Sequence, residues 1–269
     1  MTYTAAIPVF NNASTLRRVI DAMRAQTIPA TELIVVDDGS TDASAQIARD
    51  AGARVISFTQ NTGRGAARAK IMEEATEPLV LMCDATIVLD SNFVEKAMVW
   101  LENNPVAAVC AYVSQSASNN VIERWRGRHL YRINSERVLK FGAPLTTGAA
   151  ILRKSATISV GNFAAHLRHT EDGDLGERLL AAQWDVITDP TLPVHCIGEN
   201  TLFQLMERYW RWNAGKDERT NWKAYLKQIA FSIRTMAAKD LAAGDPASVP
   251  ISLLSPHYQF WKSWLRKRS

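Results

Sequence analysis

The stretch Glu32-Leu33-Ile34-Val35-Val36-Asp37-Asp38-Gly39-Ser40-Thr41-Asp42 decides the reading of the fold. Four consecutive apolar residues make a buried strand, and the acids, glycine and serine behind them end it and open the next element. Read towards the N-terminus, Thr4 to Phe10 is another short apolar run and predicts a buried strand. Asn11 to Ser14 supplies capping residues, and Leu16, Val19, Ile20 and Met23 follow at helical spacing, with Arg17, Arg18, Asp21 and Arg24 on the other face. Read towards the C-terminus, the pattern predicts a helix over 41–51, a strand over 54–57, a helix over 63–75, a strand over 78–83 and a helix over 91–103. Strands interleaved with helices predict an α/β fold with a mostly parallel central sheet covered on both faces. Ligands of such sheets sit beyond the carboxyl ends of the strands. Asp37, Asp38 and Asp84 all fall at such ends, which gathers carboxylates on one rim.

The second half is less regular. The expectations are a strand over 107–114, a helix over 120–140, a strand over 147–152, a helix over 174–182, a short strand over 194–197, helical periodicity over 200–239 and a proline-bearing loop over 242–256. Residues 1–199 read as one domain and 200–269 as a helical, basic extension.

Composition bounds the class. With 269 residues, 47% of them apolar, the chain can build one large core. Residues 1–120 carry 9 Lys/Arg against 13 Asp/Glu, whereas residues 201–269 carry 12 against 5. A basic C-terminal segment attracts phosphate-rich partners such as anionic lipid or diphosphate groups. Cys83, Cys110 and Cys196 lie far apart, with no paired metal-ligand spacing, which fits free thiols in a reduced cytoplasmic compartment. Neither a secretory signal nor a membrane-length apolar run is visible, so any meeting with a membrane is expected at its surface. Residues 257–269 mix Tyr258, Phe260, Trp261 and Trp264 with Lys262, Arg266, Lys267 and Arg268. Such a helix either lies in an anionic membrane interface or packs on a core or second subunit. No motif of a nucleic-acid-binding class is present, so nucleic acid is not an expected partner.

Six segments, in order, carry a resemblance: AAIPVFNNASTLRRVIDAMRAQT from Ala5, ELIVVDDGSTD from Glu32, NTGRGAARA from Asn61, LVLMCDATIVLDSNF from Leu79, TTGAAILRKSA from Thr146 and TEDGDLGERL from Thr170. Together they resemble glycosyltransferase family 2. The resemblance implies a GT-A fold and an inverting transfer of one sugar from a nucleotide-sugar donor to a hydroxyl of a glycan or lipid-linked acceptor. It places Pro8, Asp38, Gly63, Arg68 and Asp84 at the donor, with Asp38 accepting the imide N–H of a uracil or thymine. The other reading of the Asp37–Ser40 run is a turn and helix cap. The resemblance makes Asp172 the general base that takes the acceptor's proton, with Glu171 helping to position the acceptor. Arg208, Arg211 and Trp212 resemble a segment that lies by the acceptor and diphosphate in processive members.

One position departs from the family. Its DxD holds a divalent metal, Mn or Mg, against the diphosphate, but here the run is Asp84-Ala85-Thr86. A hydroxyl is a poor ligand for a hard cation beside a carboxylate. Three explanations stand: weak metal binding through Asp84, Thr86 and His195, charge neutralisation by basic side chains, or a sugar-nucleotide binder without catalysis. His195 is equally a structural histidine. A nucleotidyltransferase is disfavoured because the first strand runs into Pro8-Val9-Phe10-Asn11 rather than a glycine-rich segment, and an NAD-dependent enzyme because the dinucleotide fingerprint is missing.

Overall fold

The computed structural model describes residues 1–102, 105–114, 118, 120–213 and 221–265. The chain divides into two compact units, Met1–Ser114 with Glu136–Gly198, and Gln115–Ser135 with Glu199–Ser269. The second unit thus takes residues 115–135, which a single cut at 199/200 leaves in the first.

The first unit is built on an eight-stranded sheet in the order β3-β2-β1-β4-β7-β6-β8-β5. Its strands are β1 (Tyr3–Val9), β2 (Glu32–Asp37), β3 (Arg54–Ser57), β4 (Leu79–Cys83), β5 (Ile87–Leu89), β6 (Val106–Ser114), β7 (Ala149–Arg153) and β8 (Asp185–Cys196). The helices are α1 (Ala13–Arg24), α2 (Ser44–Asp50), α3 (Arg64–Glu74), α4 (Phe93–Leu101), α6 (Lys154–Ser159) and α7 (Glu171–Ala181), while α5 (Val121–His129) belongs to the second unit. β3, β2, β1 and β4 run parallel, as the strand–helix alternation requires, and the apolar runs of β2, β1 and β4 are buried, whereas Val55 and Ile56 of the edge strand β3 are half-buried. The other half is mixed: β7 pairs antiparallel with β4 and β6, and β8 is parallel to β6 and antiparallel to β5. β5 follows β4 after three residues, too few for a crossover, and so pairs at the far edge instead.

The core holds Ile34 and Val36 of β2, Ile71 and Met72 of α3, Val80 and Met82 of β4, Leu152 of β7, and Leu175 and Leu179 of α7. α1 buries Leu16, Val19, Ile20 and Met23, and Arg17 pairs with Asp21 at 2.9 Å on its outer face. A cavity of about 430 Å³ opens by Thr31, Glu32, Gly52 and Arg54, where β2 and β3 begin. It lies at the strand ends opposite the acid rim.

The second unit is helical, with α8 (Leu202–Asn213), α9 (Trp222–Phe231), a π-helical turn (Ser232–Ala237), α10 (Ala238–Ala242), a 3-10 turn (Pro246–Ser248) and α11 (Val249–Leu265) following α5. Trp125, Leu205, Met206, Tyr209, Met236 and Ile251 form its core. This packing explains why 115–135 joins it: Trp125 of α5 is buried there, and its Nε1 donates to Ser252 Oγ at 2.8 Å.

Four expectations need correction. The loop over 242–256 is largely helix, because Pro246 opens the 3-10 turn and Pro250 sits in the first turn of α11, where a missing N–H costs no bond. The helix over 120–140 ends at His129, and Arg132 turns the chain with a φ of 50°. The short strand over 194–197 is the tail of the twelve-residue β8. α7 starts at Glu171 rather than Asp174. Of the aromatic–basic terminus, Arg266, Lys267 and Arg268 lie outside the described residues. Among the described residues no helix is long and apolar enough to cross a membrane.

Candidate functional site

Carboxylates that follow β2, follow β4 and open α7 gather around α3. Asp38 directly follows β2 and is 4% exposed. Its Oδ1 accepts hydrogen bonds from the Thr62 N–H and hydroxyl, both at 2.7 Å. Its Oδ2 accepts from Asn61 Nδ2 and from the Gly63 N–H, both at 2.9 Å. A carboxylate offers about four acceptor positions. All are taken by residues 61–63, so the residue fixes the loop that opens α3. Asp37 accepts the Ser40 N–H at 3.0 Å and acts as the turn cap.

Gly63 and Gly65 have a different task from close approach to a ligand. Gly63 has a φ of 107°, and a Cβ there would lie 2.8 Å from the Arg168 Cα. A Cβ on Gly65 would lie 2.3 Å from the Ala164 carbonyl oxygen and 2.4 Å from that of Leu167. The Gly65 N–H donates to the same Leu167 oxygen at 3.0 Å. The glycines therefore let the 164–168 segment lie directly on the start of α3.

Arg68 sits one turn further along α3 and is 1% exposed. Its Nη2 lies 2.7 Å from Asp84 Oδ1, and its Nη1 bonds Glu171 Oε1. One buried guanidinium thus ties the end of β4 to the start of α7. Burial pulls the Arg68 cation below its ordinary pKa, and the charges of Asp84 and Asp172 work against that. Its Nε is buried with no partner among the described residues. Glu171, 1% exposed and bonded to Arg68, anchors the start of α7.

Asp172 stands in the first turn of α7 rather than before it, and is only partly buried. Its Oδ1 accepts the Gly173 N–H at 2.9 Å, and its Oδ2 carries no hydrogen bond among the described residues. Asp174 is bound by Arg178 at 2.7 Å. The acids of this turn sit at the N-terminal, positive end of the α7 dipole. Thr170, just before them, has a φ of 66°, a left-handed conformation that a β-branched residue adopts only under constraint.

The three expected metal ligands each have other partners. Asp84 is already paired with Arg68. Thr86 packs its methyl against Gly198, and its carbonyl oxygen accepts the Ile197 N–H at 2.9 Å. His195 lies opposite Val88 in the β5–β8 pair, with Nδ1 2.9 Å from Ser114 Oγ and Nε2 3.4 Å from Asp90 Oδ1. Among the described residues no three His, Cys, Asp or Glu side chains form a metal-holding group. The donor set does not fit a resident divalent cation. Pro8 lies within β1, paired with Val36 of β2. Arg208, Arg211 and Trp212 all belong to α8 of the second unit, where Arg208 Nη1 donates to the Tyr131 hydroxyl at 2.8 Å and Trp212 is exposed, its ring centroid 5.9 Å from that of Tyr131. All three cysteines are free and buried.

Sequence reasoning missed Asn61, Thr62 and Arg168. The first two stand immediately before Gly63 in the glycine-rich segment, and their side-chain donors were the available signal. Arg168 bonds both the Asn61 backbone oxygen and its side-chain oxygen across more than a hundred residues, which no local pattern reveals.

Comparison with known proteins agrees with this geometry. The mannosyltransferase PcManGT from Pyrobaculum calidifontis, solved with GDP-Man and Mn2+, superposes with a TM-score of 0.62 at 15% identity, over 97% of this chain and 87% of that one. S. aureus TarS residues 1–349, solved with UDP-GlcNAc, gives 0.59 at 16% identity, over 97% of this chain and 73% of that one. These likenesses show the GT-A fold. The O-antigen chain rhamnosyltransferase RfbN of Salmonella typhimurium is 24% identical over 203 residues, 69% of this chain and 63% of that protein. The chain thus spans less than two thirds of that relative's length. The family profile described as Glycosyl transferase family 2 matches residues 4–168, more than half of the sequence, and ends before Asp172. On that match and that fold, the chain belongs to glycosyltransferase family 2.

Proposed function

We propose that the protein is an inverting glycosyltransferase that moves one sugar from a nucleoside-diphosphate donor, UDP- or dTDP-linked, to a hydroxyl of a glycan, glycolipid or lipid-linked acceptor. The observation that supports it most is the placing of Asp172: a half-buried carboxylate with one open oxygen, on a helix tied through Glu171 and Arg68 to the Asp84 junction. In a single displacement the acceptor oxygen attacks the anomeric carbon as the bond to the diphosphate breaks. Asp172 takes the hydroxyl proton, and the nucleoside diphosphate leaves with the bonding electron pair. Asp84 and Arg68 set the charge beneath the donor, and Asp38 holds the 61–63 loop that shapes its binding face. The solved relatives carry GDP-Man and UDP-GlcNAc, which supports a nucleotide sugar without choosing the base. The name of the Salmonella relative, an O-antigen chain rhamnosyltransferase, supports a polysaccharide acceptor. Exposed Trp261 and Trp264, with Lys262 between them, support peripheral contact of residues 257–269 with an anionic membrane surface.

The test has two stages. Thermal stabilisation across a panel of nucleotide sugars selects the donor, because a ligand that binds only the native state raises its melting point. NMR of the transfer product then reads the anomeric configuration. An inverted linkage supports the reading, and a retained linkage rejects it.

A further inference from the structure

Resting on that reading of the site, we propose that donor binding here needs no divalent cation, because Asp84, held by the buried Arg68, and the neutral Thr86 do not make a cation site.

Three observations carry this. Asp84, the one acid left at the DxD position, has Oδ1 engaged by Arg68 at 2.7 Å. A cation could take that carboxylate fully only by breaking a pair whose arginine is almost wholly buried, and such a break is strongly unfavourable. At the second acid position, Thr86 offers a neutral hydroxyl, and its side chain is set against Gly198. Hard cations draw their affinity from charged oxygen ligands and a nearly complete oxygen shell. Here the protein offers one carboxylate oxygen and a hydroxyl, because His195 is engaged with Ser114 and Asp90.

Calorimetric titration of the full chain with UDP-GlcNAc, GDP-mannose and dTDP-sugars, in EDTA and in manganese, tests this without any need for turnover. The expected result is a dissociation constant that agrees within about threefold between the two buffers. Thr86→Asp rebuilds the second acid, and Thr86→Ser controls for the lost methyl contact with Gly198. Affinity of Thr86→Asp is expected to rise at least about tenfold with manganese, while Thr86→Ser stays insensitive. The inference is overturned by a tenfold loss of wild-type affinity in EDTA, or by a Thr86→Asp protein that gains no manganese dependence. Absence of binding by every nucleotide in both buffers would reject the glycosyltransferase reading itself, and this inference with it.

Discussion

Gly65→Ala places a methyl carbon 2.3 Å from the Ala164 carbonyl oxygen and 2.4 Å from that of Leu167. Real Cβ contacts stay beyond 3.0 Å, so one backbone must retreat by at least about 0.7 Å, and by about 1 Å to reach ordinary van der Waals contact. α3 is held by the sheet through Ile71 and Met72, so the 164–168 segment yields. Alanine improves helix propensity by about 1 kcal/mol. Overpacking costs about 1–3 kcal/mol, and stretching the bond from the Gly65 N–H to Leu167 costs about 1 kcal/mol more. The net loss is about 1–3 kcal/mol, a melting-point drop of several degrees for a unit of this size. The loss in rate is larger than that in stability. The displaced segment leads within four residues to Glu171 and Asp172, and a shift of about 1 Å at a reacting group can cost about a hundredfold. Steady-state transfer, measured beside thermal melting, should show a modest loss of stability and about a hundredfold loss of kcat. A folded Gly65→Ala protein that transfers sugar within twofold of wild type would refute the claim that the glycine-seated segment aims the acidic turn.

Other outcomes follow from the same contacts. Thr170→Asn replaces a β-branched residue at a φ of 66° with one that tolerates it, and should raise unfolding free energy by about 1 kcal/mol in urea titrations; a loss of stability would mean the turn is not strained. Asp38→Asn removes acceptor capacity from the 61–63 loop, and should weaken UDP and GDP binding alike, within about twofold of each other. A loss confined to uridine nucleotides would make Asp38 the base reader instead. Burial by itself raises the Glu32 carboxyl, but hydrogen bonds from Thr76, Thr4 and Arg54 outweigh it and hold the pKa at about 2 against an ordinary 4.5. Its contribution to stability is therefore complete above pH 4.5 and fades as pH falls towards 2, so Glu32→Gln should flatten the acid limb of the stability curve across that window.

The parallel half of the sheet was legible because its strands are buried on both faces and its helices carry clean apolar stripes, as with Val35 in β2 and Leu16 in α1. The second unit was less so. Pro246, Pro250 and Pro256 read as loop in one dimension, yet one opens a turn, one sits where its missing N–H is harmless, and one is buried within α11. In the site, strand-end positions pointed to Asp38 and Asp84, and the family resemblance pointed to Arg68, Glu171 and Asp172. Their roles depended on partners far away in sequence. Nothing near Glu171 announces Arg68, and nothing near Asp38 shows that all its acceptor positions are filled by residues 61–63.

The claim that Asp172 deprotonates the acceptor is tested most directly by single-turnover transfer with Asp172→Asn, alongside donor affinity of the same protein. The account predicts a rate lower by about 10²–10⁴, the usual worth of a general base, with the donor dissociation constant changed by no more than a few-fold. Transfer near the wild-type rate would contradict it.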